Sequence, residues 1–346
     1  QQRLASTRGG SPWRGRPPGQ KAMTMSNLLA ELLDERDYLV ADGATGTNAF
    51  DLDLKPGSPP DLWNLDDPEK SLHIHNAFVD AGADLILTNT FGSNPHRLIL
   101  DKMQHKYKEI NVAGAKLARQ AADKAGRPVV VAGSMGPTGG MMEPFGELTP
   151  DVVEDAFSKQ AIALAEGGAD VIWIETIFAF DELGAAIRGA QQSGLPVAST
   201  MTFDTASRSM MGDTPESAVA FIKTFDPGLI AFGANCGAGP SMLIDTVSGL
   251  CEAMGDDGVI IAKGNCGMPQ MIDGKVKYSG TKEIMADYAR LARDCGARIV
   301  GGCCGTTPDI LAHVAETLKT YTPGERPSQE KIIEVLGPIK VPTPGS

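Results

Sequence analysis

One pattern constrains this chain more than any other: a short apolar run followed by a helix-like segment, repeated eight times. The runs are YLVADGA (38–44), DLILTNTF (84–91), PVVVAGSM (128–135), DVIWIETI (170–177), PVASTMTF (196–203), LIAFGANC (229–236), VIIAKGNC (259–266) and RIVGGCC (298–304). Between them lie segments such as EDAFSKQAIALAEGGA and KEIMADYARLARDCGA, rich in Ala, Leu and charge at helical spacing. Several end in Gly-Ala just before the next run, as in DAGADLI, EGGADVI and DCGARIV, where Gly supplies the left-handed stop of a helix. Continuous apolar runs are strands buried on both faces, and strands alternating with helices pair in parallel. Eight such units over roughly 280 residues predict an α/β chain folded as a single (β/α)8 TIM barrel. A doubly wound open sheet is the alternative, but DGATGT at the end of the first run lacks its Gly-x-Gly-x-x-Gly phosphate fingerprint.

The barrel is expected over residues 26–320. Residues 1–25 open with five basic residues, no acidic ones and much Gly and Pro, which reads as a disordered leader or an extension; an Arg-rich transit peptide is the alternative. Residues 321–346 hold five prolines and one short apolar segment, KIIEVLG, and read as an arm packed on the barrel or on a neighbouring subunit. The formal net charge of −12 argues against nucleic acid and anionic membranes as partners. No apolar run reaches the ~18–20 residues of a membrane span. Six cysteines in 346 residues are no disulfide framework, and a reducing compartment, the cytoplasm, suits them as free thiols. The sequence leaves the oligomeric state open.

The cysteines are not scattered. Cys251 and Cys295 fall in helix-like segments and read as small buried hydrophobes, whereas Cys236, Cys266, Cys303 and Cys304 each close a strand-like run. In a (β/α)8 barrel the chemistry sits at the carboxyl ends of the strands. Strands six and eight are separated by one strand, so Cys236 can converge with the Cys303–Cys304 pair across the mouth. Three thiolates suit zinc, and three protein ligands leave its fourth position open, the mark of a catalytic site. Asn265 and Cys266 compete for that fourth position; the asparagine is favoured, because four thiolates would close the metal off from substrate. Two other readings stay open: a vicinal disulfide or redox switch, and a phosphate-binding Gly-Gly turn at Gly301–Gly302, as in a phosphate-ester lyase or isomerase.

The motifs DGATGT, LTNTFGSN, GSMGPTGG, WIETI, GANCGAGP and GGCCGTTP together resemble the zinc-dependent homocysteine S-methyltransferase family over about residues 28–320. The similarity extends to the homocysteine-binding module of cobalamin-dependent methionine synthase and to betaine–homocysteine methyltransferases. It implies Zn2+ held by Cys236, Cys303 and Cys304, with the homocysteine thiol in the open position. It implies that Asp42, the Gly43–Ala44 backbone, Thr90 and Glu175 hold the amino and carboxylate groups, and that Asn265 fills the zinc position when substrate is absent. No side chain beyond the zinc-activated thiol is then needed for catalysis. A free thiol, with a pKa near ~8.5, is mostly protonated at neutral pH, and coordination deprotonates it.

The methyl donor is expected to be betaine or a similar onium compound, or else a separate corrinoid protein, this chain then serving as the homocysteine-binding subunit of a split methionine synthase. The chain carries no Asp-x-His-x-x-Gly cobalamin-ligand motif. A quaternary ammonium wants aromatic walls, and Trp63, Phe91 and Trp173 are the candidate contacts.

Overall fold

The structure, a computed structural model, describes residues 27–339 apart from 56, 205, 273 and 274. The leader expected over residues 1–25 lies outside the described residues. Eight parallel strands form one sheet: β1 (Leu39–Val40), β2 (Leu85–Leu87), β3 (Val130–Met135), β4 (Val171–Ile177), β5 (Val197–Met201), β6 (Ala231–Cys236), β7 (Ile260–Gly264) and β8 (Ile299–Gly302). All eight fall inside the runs expected from the sequence. The order is β1-β8-β7-β6-β5-β4-β3-β2. A parallel bridge between Ala41 and Leu85 joins the two ends, with Asp84 N–H donating to Val40 O at 2.7 Å and Asp42 N–H to Leu85 O at 3.0 Å. The sheet is therefore the (β/α)8 barrel.

Two apolar layers hold it. Inside, Leu39, Ala41, Leu85, Val130, Val171, Trp173, Ile261 and Ile299 fill the barrel together with Leu29, Leu32 and Leu33 of the helix Leu28–Glu35. These leucines recur at helical spacing on one face, so the helix plugs the end where the strands begin. The Asn27 side chain caps it by accepting from Ala30 N–H. Outside, the barrel helices bury a second layer against the strands. Gly82, Gly168 and Gly296, at φ of 98°, 100° and 108°, end three of these helices in the left-handed conformation expected of the Gly-Ala pairs.

One element was absent from the sequence expectation. Between β7 and the helix Lys282–Cys295 the chain makes an antiparallel hairpin, Pro269–Ile272 with Lys275–Tyr278. Its sequence signal is the Asp-Gly dipeptide at 273–274 between two alternating runs. The tail lies on its own barrel as far as it is described. Its helix Gln329–Leu336 buries Ile332, Tyr321 donates to Asp294 at 2.8 Å, and Ser241 Oγ donates to Pro338 O at 3.2 Å.

Candidate metal centre

Cys303 and Cys304 are neighbours, and inside a strand they would face opposite sides. They escape that rule because β8 stops at Gly302 and both sit in the turn that follows. Cys303 N–H still donates to Gly264 O at 2.7 Å, while Cys304 N–H donates to Asn265 Oδ1 at 3.1 Å. Across the mouth, Cys236 ends β6 with a left-handed backbone, φ 64°, a conformation uncommon outside glycine. The three sulfurs lie within 4.8 Å of one another. Tetrahedral thiolates ~2.3 Å from zinc stand about 3.8 Å apart, so this trio fits the ion with little movement.

The glycines of GGCCG make the turn possible. A Cβ on Gly301 would lie 2.6 Å from Ala41 O, and one on Gly302 2.2 Å from Thr306 Oγ1. Tyr288 ties the neighbouring strand ends, its hydroxyl accepting from Gly264 N–H at 2.9 Å and donating to Gly301 O at 3.3 Å. Every amide of the turn has a protein acceptor: Gly302 on Asp42 O, Cys303 on Gly264 O, Cys304 on Asn265 Oδ1, Gly305 on Thr47 Oγ1 and Thr306 on Cys303 O. A phosphate would find no free N–H there, which removes the physical basis of the phosphate-site alternative.

S–H donation from Cys303 and Cys304 draws the Cys236 thiol far below its ordinary value, and the same hydrogen bonds push Cys303 and Cys304 up. Cys266 stands apart. Its sulfur packs in the outer core, and burial raises it to about 11. Among the described residues it belongs to no ligand cluster, and all six cysteines are free thiols. Cys251 and Cys295 are buried, as expected of small hydrophobes.

A cavity of about 630 Å³ opens beside the sulfurs, lined among others by Gly43, Ala44, Thr90, Phe91, Glu175 and Lys263. Glu175 accepts from Ser134 Oγ at 2.5 Å through Oε1, and among the described residues no protein group bonds its second oxygen. Burial raises its carboxyl to about 7 against the pull of Lys263 and Ser134. The next residue, Thr176, has φ 64° and is pinned by Asn235, which accepts from its N–H at 2.9 Å and donates to its hydroxyl at 2.8 Å. The Thr90 hydroxyl is committed to Ser134 O at 2.8 Å. A larger cavity, about 760 Å³, lies at the opposite end of the barrel beside Asn27 and Arg298. It holds no cysteine, so the chemistry belongs to the strand-end cavity.

Four expected contacts are placed otherwise. Asp42 does not line the cavity. Its Oδ1 accepts from Lys263 Nζ at 2.6 Å and its Oδ2 from Leu87 N–H at 2.7 Å, so both oxygens are spent inside the barrel. Trp173 is wholly buried in the inner core, because it points inward one layer below Glu175. Trp63 packs against the outer core with Lys70 Nζ 4.8 Å over its ring. Asn265 sits beside Cys236, not in the cavity, its amide donating to Gly237 O at 2.7 Å. Ser134 and Asn235 stand at strand ends but had no role expected of them, and neither had Lys263; a lysine inside the apolar run VIIAKGNC was the one signal that a buried partner must exist.

A profile of the family described as "Homocysteine S-methyltransferase" matches residues 39–318. This chain belongs to that family. It is 30% identical over 319 residues to a methionine synthase of Mycobacterium leprae, covering 88% of this chain and 26% of the relative. The chain thus spans about a quarter of that relative's length. Among solved structures it resembles the homocysteine methyltransferase MmuM of Escherichia coli in its oxidised form, with TM-score 0.70, 22% identity, and coverage of 84% of this chain and 99% of that one. The metallated form of MmuM gives TM-score 0.69 at 23% identity with the same coverage.

Proposed function

We propose that this chain binds zinc through Cys236, Cys303 and Cys304 and presents homocysteine as a thiolate for methyl transfer, yielding methionine. The observation that carries this is the convergence of three sulfurs within 4.8 Å at the open end of the barrel. When bound, zinc would supply Lewis acidity that keeps the substrate sulfur deprotonated yet nucleophilic at neutral pH. The chain's own residues then bind and orient. Glu175, held by Ser134, turns its free oxygen to the substrate ammonium, and the Gly43–Ala44 segment and Thr90 shape the wall beside it. Lys263 neutralises Asp42 under the cavity floor, so that carboxylate does not repel the substrate's own.

For the donor, the reading favoured here is a methylated corrinoid over betaine or a similar onium compound. An onium needs free aromatic faces. Only Phe91 of the three candidates lines the cavity, and the Arg97 guanidinium already stands 5.5 Å over its ring. The loops after β1, β2, β3 and β5 instead expose large apolar side chains, among them Phe50, Leu100, Phe145 and Met210 at 53%, 81%, 74% and 69%. Such a rim suits a large partner carrying the methyl group. A reducing compartment, the cytoplasm, suits a reaction that depends on free thiols.

The test is metal content with a homocysteine titration on wild type and Cys303→Ser, then methionine formation with methylcobalamin, betaine or S-methylmethionine. One zinc per chain, lost in the variant, with turnover on methylcobalamin alone is the expected result. Turnover on betaine or S-methylmethionine reverses the donor assignment. Absence of zinc from reduced wild-type protein overturns the function.

A further inference from the structure

Strand β4 breaks its own alternation at the mouth of the barrel. Trp173 packs in the inner layer and Ile174 in the outer one, so a regular strand would turn Glu175 inward, Thr176 outward and Ile177 inward. Ile177 instead packs in the outer layer with Ile174, and Glu175 and Thr176 both line the cavity. The strand pairing gives the reason. Ile174 pairs with Ser199 and Ile177 with Met201, so β4 advances three residues while β5 advances two. The extra residue makes a β-bulge, and its left-handed member is Thr176 at φ 64°. For a β-branched residue that backbone is strained, and it persists only where the surroundings hold it.

One side chain holds it. Asn235, wholly buried on β6, accepts from Thr176 N–H at 2.9 Å and donates to Thr176 Oγ1 at 2.8 Å. Its oxygen also accepts from Thr200 Oγ1 at 2.7 Å, and its second proton goes to Cys303 Sγ at 3.8 Å. Every donor and acceptor of the amide is thereby used, which leaves it one orientation. Asn235 is thus fixed from β5 and from the turn after β8, and it fixes the bulge of β4 in turn. Without the bulge, Ile177 would stand on the cavity face one layer above Glu175, between that carboxylate and the open mouth.

We propose that Asn235 is a specificity-determining positioning residue. By holding the bulge at Thr176 it keeps Ile177 out of the mouth and leaves the Glu175 carboxylate open to the ammonium group of a ligand. The site thereby selects thiols that carry an α-amino group over thiols that lack one. A relaxed strand would set an apolar side chain where the ammonium must enter, while a ligand with only hydrogen at that carbon would still fit. This rests on the reading above, in which Glu175 meets the homocysteine ammonium.

The test compares two thiols by calorimetric titration of the full, zinc-loaded chain: L-homocysteine, and 4-mercaptobutyrate, which is the same molecule without its amino group. In Asn235→Ala, homocysteine is expected to bind roughly tenfold more weakly than in wild type, with 4-mercaptobutyrate unchanged, so the preference for the amino acid falls roughly tenfold. Equal weakening of both thiols overturns the proposal, because a merely structural or metal-site role would not tell them apart. Unchanged binding of both overturns it too. Should Asn235→Ala not fold, Thr176→Val removes only the hydroxyl that Asn235 donates to. It is expected to lower the same preference at least roughly threefold, and an unchanged preference overturns the proposal. Glu175→Gln tests the parent reading separately. If that variant keeps the wild-type preference, Glu175 does not meet the ammonium, and the parent reading fails on its own evidence.

Discussion

Lys263 Nζ stands 2.6 Å from Asp42 Oδ1, and both side chains are 1% exposed. The same ammonium also donates to Asp42 O at 2.9 Å. Such a pair is costly to bury and costlier to halve, because removing one partner strands the other's charge away from water. Lys263→Met is therefore expected to destabilise the protein by ~3–5 kcal/mol. The Lys263→Met, Asp42→Asn double variant should recover much of that loss. Urea denaturation of the four proteins in the cycle checks both statements.

Glu175 gives a pH signature. Its carboxyl is raised by burial to about 7 from an ordinary 4.5. Between those values the folded state keeps a proton that the unfolded state has released, so stability falls as pH rises through this window. In metal-free protein, Glu175→Gln should be more stable than wild type by about 3 kcal/mol at pH 8, the difference vanishing near pH 4.5. The same change should weaken homocysteine roughly tenfold to a hundredfold at pH 8. Denaturation curves and calorimetric titration separate the two effects.

The cysteines divide cleanly. Cys304→Ser is expected to abolish tight zinc binding, whereas Cys266→Ser should keep one zinc per chain and lose about 1–3 kcal/mol, because a hydroxyl in that apolar site lacks a partner. Metal analysis after gel filtration, paired with thermal unfolding, distinguishes a lost ligand from a damaged core. Loss of zinc from the Cys266 variant would contradict its placement outside the cluster.

Gly302 tests the turn. A methyl group there would lie 2.2 Å from Thr306 Oγ1, and Thr306 is fully buried. Gly302→Ala should cost about 1–3 kcal/mol by overpacking. By shifting the turn that carries Cys303 and Cys304, it should also weaken zinc at least roughly tenfold. Competition against a chromophoric chelator measures the second effect.

The barrel was legible in the repeats alone, and the same reading singled out Cys236, Cys303 and Cys304 as candidate metal ligands. Strand and helix periods are local properties, and eight repeats of them leave little choice of architecture. With strands six and eight one strand apart, Cys236 and the Cys303–Cys304 pair stand at the same mouth; that their sulfurs meet depends on the left-handed backbone of Cys236 and the turn after Gly302. Other matters were decided only in three dimensions. Asp42 stood at a strand end like Glu175, yet it turned inward to Lys263, 221 residues away in the chain, whereas Glu175 lines the cavity. Trp63 and Trp173 were plausible cavity walls by position, but one lies under Lys70 and the other in the inner core. Nor did chain order reveal that Asn235 would meet the Cys303 sulfur and Asn265 that of Cys236. The reason is physical. Which strands form depends on residues near one another in sequence. Where a strand-end side chain points depends on one dihedral, such as the 64° φ of Cys236 or Thr176, and on the distant partner that holds it there.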